Sequence, residues 1–245
     1  MIRYILIMFS IILTSLGNAF AQYNTSNTNV IGTPTAYTII RGTYQVSFLG
    51  YDNGGVELKT FIGLHDNLFM GISFDIENAI GKDKPEANVP GVVAKIKITD
   101  GWESFPISLA VGYDSFYIGH EGKAENYDNE LDKMIYGPYA VVTKPIYLLY
   151  DEQHLHFGIR VPTQPNYVPG DTSYFLSLDF PLSETFIFKA EGDRIYYNFS
   201  RSKEWLLNFG LRYTYVNQLA IEFDIMLQRE ERPNRIIKIE YKDEF

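Results

Sequence analysis

From Tyr37 to the C-terminus, apolar and polar side chains alternate with a period of two, the mark of strands that bury one face. About twelve such segments can be laid down: Tyr37–Leu49, Gly55–Leu64, Leu68–Ile76, Val92–Thr99, Pro106–Tyr117, Tyr136–Pro145, His154–Val161, Thr172–Phe180, Thr185–Asp193, Trp205–Thr214, Leu219–Gln228 and Arg235–Lys242. The eleventh is typical: Leu219, Ile221, Phe223, Ile225 and Leu227 oppose Glu222, Asp224 and Gln228. In the fourth, Val92, Ala94, Ile96 and Ile98 oppose Lys95 and Lys97. The sixth alternates least, so its facing is the least defined.

The connections alternate as well. Short turns fall at 65–67, around Asp100-Gly101, at 182–184 and at 216–218, and longer polar loops at 77–91, 118–135, 162–171 and 194–204. Short turns on one side and long loops on the other predict an all-β fold: a transmembrane antiparallel β-barrel with short periplasmic turns and longer extracellular loops. An even strand count then leaves both termini in the periplasm. A soluble periplasmic β-sandwich alternates in the same way, and three features favour the barrel. Segments near ten residues are long enough to cross a bilayer at a tilt, whereas soluble strands average about half that. Tyr37, Phe48, Tyr51, Tyr117, Tyr136, Tyr147, Tyr150, Phe180, Phe186, Trp205, Tyr213 and Tyr215 fall near strand ends, as in an interfacial aromatic girdle. The chain also ends in Phe245, and the spacing back from it in twos brings in Tyr241, Ile239 and Ile237, with Asp243 as a departure. An alternating strand closed by an aromatic resembles the signal read by the barrel-assembly machinery.

Composition agrees with this. Hydrophobic residues make up 46% of the chain and aromatics 16%, yet mean hydropathy is only -0.12, because a barrel averages its lipid-facing and lumen-facing positions. Helical spans would raise that value, since each needs roughly 20 consecutive apolar residues. The N-terminal end reads as a secretory signal over 1–21: Arg3, a mainly apolar run from Ile5 to Leu16, and Ala19-Phe20-Ala21 before Gln22. Residues 22–36, rich in Asn, Thr and Ser at their start, read as a flexible periplasmic lead-in, and 37–245 as the barrel. The location implied is the outer membrane of a Gram-negative-type envelope, with its lipid as surroundings.

A net charge of -9 excludes a phosphate-binding surface and hence nucleic acid as a partner. The absence of cysteine excludes disulfides, thiolate metal sites and a cysteine nucleophile. On the predicted register the charges facing the bore are Glu57, Lys59, Asp75, Lys95, Lys97, Asp114, Lys144, Arg160, Lys189, Glu191, Arg212, Glu222, Asp224, Lys238 and Glu240, joined by Arg41, Asp179, Asp193 and Lys242. Acids and bases nearly cancel. Such a set either pairs across neighbouring strands and fills the bore, or lines a narrow polar channel with facing acidic and basic ladders.

Catalytic chemistry finds little purchase. His154 and His156 share a face with Arg160, but no third metal ligand follows by spacing. His65 falls in a tight turn and His120 in a long loop, both solvated on this reading. The acids of 118–135 (Glu121, Glu125, Asp128, Glu130, Asp132) lack the spacing of a calcium loop. There is no phosphate-binding glycine loop and no Gly-x-Ser-x-Gly elbow, so no catalytic residue, metal or cofactor is expected. A barrel lipid hydrolase would need Ser, His and an orienting group on the outer surface, and no such constellation is found.

Gly32-Thr33-Pro34-Thr35-Ala36 runs straight into the first predicted strand, and His65-Asp66-Asn67 sits between Gly63 and Gly71. These stretches resemble the start of the YjbH-type barrels, over about the first third of the chain after the signal. That resemblance implies an outer-membrane barrel linked to exopolysaccharide secretion or surface modification. The functions expected are a non-enzymatic channel or surface component for polysaccharide or a small polar solute, or a closed barrel acting through its external loops.

Overall fold

The computed structural model describes residues 27–102, 106–114, 137–148, 151–161, 172–196, 203–216, 218–227 and 233–245. The signal segment 1–21, the start of the lead-in, the acidic loop 118–135 with His120, and Tyr117, Tyr136 and Tyr150 lie outside them.

Thirteen strands follow in chain order: β1 (Thr43–Tyr51), β2 (Gly55–His65), β3 (Leu68–Glu77), β4 (Glu86–Ala87), β5 (Gly91–Thr99), β6 (Ser108–Asp114), β7 (Gly137–Leu148), β8 (Asp151–Arg160), β9 (Ser173–Pro181), β10 (Phe186–Tyr196), β11 (Lys203–Tyr215), β12 (Leu219–Leu227) and β13 (Asn234–Glu244). All pairings between them are antiparallel. Each long strand pairs with its neighbours in sequence, except that β3 pairs with β5, and β1 closes on β13 with Thr43 opposite Glu244 and Gly50 opposite Ile237. The two-residue β4 extends β3 beyond its pairing with β5, at Ile76 and Glu77. The other twelve strands form a closed antiparallel barrel. Closure leaves no unpaired edge, the condition for a sheet to exist in hydrocarbon.

The strands form where alternation placed them, and the outward positions are apolar. Phe48, Ile62, Met70, Ile72, Val92, Ile96, Leu176, Phe209, Leu211, Ile221, Phe223, Ile237 and Ile239 are all exposed. A continuous apolar band of this kind is not tolerated on a monomeric soluble protein and matches a lipid-facing surface. The chain is thus an outer-membrane β-barrel, and the sandwich alternative falls. Near the end where β1 begins and β13 finishes, Tyr44, Tyr241 and Phe245 cluster, with the Tyr44 and Phe245 rings 5.3 Å apart. Phe186 packs on Tyr213, and Tyr147 and Tyr215 are exposed. At the other end Trp205 is exposed near the start of β11.

Two aromatics expected in the girdle face inward instead. Tyr51 turns into the bore and donates a hydrogen bond to Asp75 at 2.8 Å. Tyr37 sets its ring edge-on to His154, with centroids 5.2 Å apart. The first strand also begins later than expected, at Thr43, and Arg41 is exposed in the turn before it. Residues 37–42 alternate like a strand, but the Thr38 hydroxyl donates to the Asp66 carbonyl, and the Gly42 N–H bonds the Gly63 carbonyl. Gly42, at φ 78°, makes the corner into β1, a conformation open mainly to glycine.

Several inward aromatic rings lie flat over a glycine of the adjoining strand. Tyr139 covers Gly112 and Phe175 covers Gly158, so that a Cβ at either glycine would collide with the ring. Flattened rings leave the centre of the barrel free for another occupant.

Candidate functional site: a polar bore and the hairpin inside it

That occupant is the chain's own N-terminal segment. Residues 27–36, expected as a periplasmic lead-in, are buried inside the barrel, with Val30, Thr33, Thr35 and Ala36 at 0% exposure. Their polar composition is the reason for the difference: the inside of this barrel is as rich in donors and acceptors as water, so an Asn/Thr-rich segment suits either place.

The segment is a small hairpin. Asn29 bridges Pro34, the Val30 N–H bonds the Thr33 carbonyl at 2.9 Å, and the Thr35 N–H bonds the Thr28 carbonyl at 3.0 Å. Ile31 and Gly32 form its tip. Lys189 and Glu191, two apart on β10, both face inward and meet the tip from one side. Lys189 Nζ donates to the Val30 carbonyl at 2.5 Å. The Glu191 carboxylate accepts the N–H groups of Ile31 (3.2 Å), Gly32 (3.1 Å) and Thr33 (3.0 Å) and the Thr33 hydroxyl (2.8 Å). Bonds to a charged group contribute about 1.5–3 kcal/mol each, so Glu191 is the strongest single anchor of the hairpin. It is held in turn by the Asn208 amide at 2.7 Å.

Around this anchor, the Thr33 hydroxyl meets Ser177 of β9 at 2.9 Å, and the Ala36 N–H donates to Thr143 Oγ1 of β7 at 2.8 Å. Across the bore, Lys95 Nζ of β5 reaches the carbonyls of Thr28 (2.6 Å) and Tyr37 (3.2 Å). In the ring of strands, β6 to β9 separate β5 from β10 on one side and the other six lie on the other. The hairpin therefore bridges almost opposite walls. Its stem is held differently: Ile39 packs with Phe61, Phe69 and Val93, and Ala36 with Ala110, Tyr139, Val141 and Phe175. One cavity beside the hairpin, bordered by Gln45, Ser47, Lys59, Asp114, Lys238 and Glu240, measures about 30 Å³, room for a couple of waters.

The remaining inward charges fall into separate groups. Glu222 of β12 is a hub: it accepts Lys189 (2.7 Å), Arg212 (3.2 Å) and Lys238 (3.4 Å), while Arg212 also binds Glu240. Asp224 is buried on the same strand. Arg160 pairs with Asp193 at 3.0 Å and lies over the Phe175 ring. Lys59 pairs with Glu57 at 3.0 Å, and Asp75 accepts both Tyr51 and Asn88. Lys97 pairs with Asp100 toward the periplasmic mouth. Lys144 is the exception. It pairs in register with Leu155 and is exposed on the outer face, while Thr143 and His156 point inward. Ala140, Val141 and Val142 run together in this strand, so its alternation does not mark a face. Lys144 lies four residues from the short periplasmic connection, where a lysine on the lipid side costs only ~0–1 kcal/mol because it snorkels to the interface.

His154 and His156 do not converge on a common point. His154 Nε2 faces Glu152 at 3.1 Å, and His156 lies between Thr143 (2.8 Å to Nδ1) and Asp179 (3.5 Å to Nε2). That hydroxyl–imidazole–carboxylate series sits inside the barrel with its hydroxyl already bound to the Ala36 N–H, away from the lipid surface a lipid hydrolase would use. His65 is exposed at the end of β2, not in the turn after it. Among the described residues no cluster of three or more His, Asp or Glu could hold a metal ion. Thr28, Thr33, Thr143, Ser177 and Asn208, the neutral partners in the bore, were not marked by charge. Only their inward parity and the turn-forming Gly32-Thr33-Pro34 could have pointed to them.

No family model and no curated protein matches the sequence. Among solved structures, a KdgM porin in complex with disordered oligogalacturonate is similar, with a TM-score of 0.57 at 10% identity, over 81% of this chain and 98% of that one. A second KdgM porin structure gives 0.53 at 12% identity over the same shares. The similarity is one of fold, that of outer-membrane barrel porins.

Proposed function

We propose that this barrel is a non-enzymatic outer-membrane channel for small polar solutes or oligosaccharides. The observation that supports the reading is the bore itself. Acids and bases on β2, β3, β5, β8 and β10 to β13 line it from mouth to mouth, with neutral hydroxyls and amides between them. Balanced charge favours hydroxyl-rich solutes over ions of one sign. An acidic oligosaccharide is a sensible first probe, since a porin of this fold is found in complex with oligogalacturonate. Secretion of exopolysaccharide, the role implied by the resemblance to YjbH-type barrels, is a narrower reading; the residues 32–36 that carry it lie in the hairpin, not at the start of a strand.

A sealed barrel acting through its external loops is the second reading, favoured by how fully the hairpin and the ion pairs fill the bore. Conductance in planar bilayers separates the two. The protein, folded in detergent and checked by its heat-modifiable migration, is expected to give discrete steps that oligogalacturonate blocks. Silence from folded wild-type protein and from a variant lacking residues 27–36 overturns the channel.

A further inference from the structure

We infer that residues 27–36 are an internal gate, seated on Lys189 and Glu191, which leaves its seat as a unit to open the bore. The inference rests on the channel reading and adds the element that controls it. Three observations carry it. The hairpin spans the barrel between Lys95 and Glu191, and a cavity beside it, about 30 Å³, holds water but no sugar ring. The hairpin also carries two backbone bonds of its own, Val30–Thr33 and Thr28–Thr35, which hold its shape when it moves. Finally, its two ends are held by different forces. At the tip the hydrogen bonds to the wall run to Glu191, Lys189 and Ser177, with the buried Ile31 side chain beside Gly210 of β11. At the stem Ile39 is packed among Phe61, Phe69 and Val93, and the Gly42 carbonyl accepts the N–H of Phe245. Water or a solute's hydroxyls can take over polar contacts one by one, whereas the apolar stem stays docked. The gate therefore pivots below Ala36, and unseating it presents the Lys95 and Lys189 ammonium groups and the Glu191 carboxylate to whatever passes.

The chain has no cysteine, which allows a reversible lock. The Thr33 and Ser177 hydroxyl oxygens are 2.9 Å apart, close enough for the pair Thr33→Cys and Ser177→Cys to form a disulfide. With the bridge confirmed by thiol titration, the oxidised protein is expected to be silent in planar bilayers. Reduction should raise its mean conductance at least tenfold, and the single-cysteine variants should be insensitive to the reductant. Equal conductance with the bridge closed and open overturns the gate and leaves the channel standing. Silence in wild-type, locked and reduced protein, all folded, overturns the channel and the gate together. Glu191→Gln supplies a second measure: loss of the anchoring charge is expected to raise the open fraction severalfold, and an open fraction no higher than wild type counts against the seat.

Discussion

Thr143 Oγ1 lies 2.8 Å from Nδ1 of His156 on the neighbouring strand. The same hydroxyl accepts the Ala36 N–H, and Nε2 of the imidazole lies 3.5 Å from Asp179 on the next strand. One hydroxyl thus connects the hairpin to a wall of three strands. Thr143→Val keeps the shape and removes both bonds, leaving a buried N–H unpaired at a cost of about 1–3 kcal/mol. Faster amide exchange at Ala36 is the expected outcome, read by hydrogen-exchange mass spectrometry, with heat-modifiable migration unchanged. Unchanged exchange would mean the apolar stem alone holds the segment.

Glu222 answers for three cations at once. Glu222→Gln removes the carboxylate that Lys189, Lys238 and Arg212 share, and breaking a buried pair from one side costs about 3–5 kcal/mol. The urea midpoint for unfolding from bilayers should fall markedly. Glu86→Gln, at an exposed position on β4, should leave it where it is.

Position along the strand sets the cost of a charge on the outer face. Phe209, at the centre of β11 and exposed, is expected to lose about 2–4 kcal/mol of folding free energy on Phe209→Arg. Lys144→Leu should change it by less than about 1 kcal/mol. Equal costs at the two sites would contradict a lipid belt centred on the middle of the strands.

The exposed side chains Ile237, Ile239, Tyr241 and Phe245 share one outer stripe on β13, and Phe245 packs on Tyr44 across the closing seam. If this stripe is what the assembly machinery reads, Phe245→Ala should lower the amount of barrel in the outer-membrane fraction severalfold. Folding into detergent should be retained. An equal loss in both assays would assign Phe245 to seam packing instead.

The alternation of side chains placed most barrel strands within a few residues: β2 ends one residue beyond the expected Gly55–Leu64, and β9 runs Ser173–Pro181 where Thr172–Phe180 was expected. A half-buried sheet must alternate, and a one-residue slip would turn every side chain to the wrong face. Where that constraint is absent the reading fails. Ala140-Val141-Val142 suits either face, which hid the direction of Lys144. The hairpin was illegible for a deeper reason: sequence patterning separates apolar from polar surroundings, and the bore and the periplasm are both polar. Lys95, Lys189 and Glu191 were legible as inward charges, but their partners in the hairpin are mostly backbone groups, which leave no trace in composition.

The contacts between hairpin and wall join residues very distant in the chain, Ile31 with Glu191 at a separation of 160 and Ala36 with Thr143 at 107. The wall, by contrast, is built almost wholly from hairpins between successive strands, and only the β1–β13 seam spans the whole barrel. Contacts between distant residues form slowly, because chain entropy is lost before they return any energy. Contact order therefore predicts two events: a ring that zips up from local turns and closes at one seam, and a later capture of the N-terminal hairpin from the periplasmic mouth. On that order a newly closed barrel would for a time hold nothing inside it, and the timing of this one segment would set how long a newly made envelope leaks.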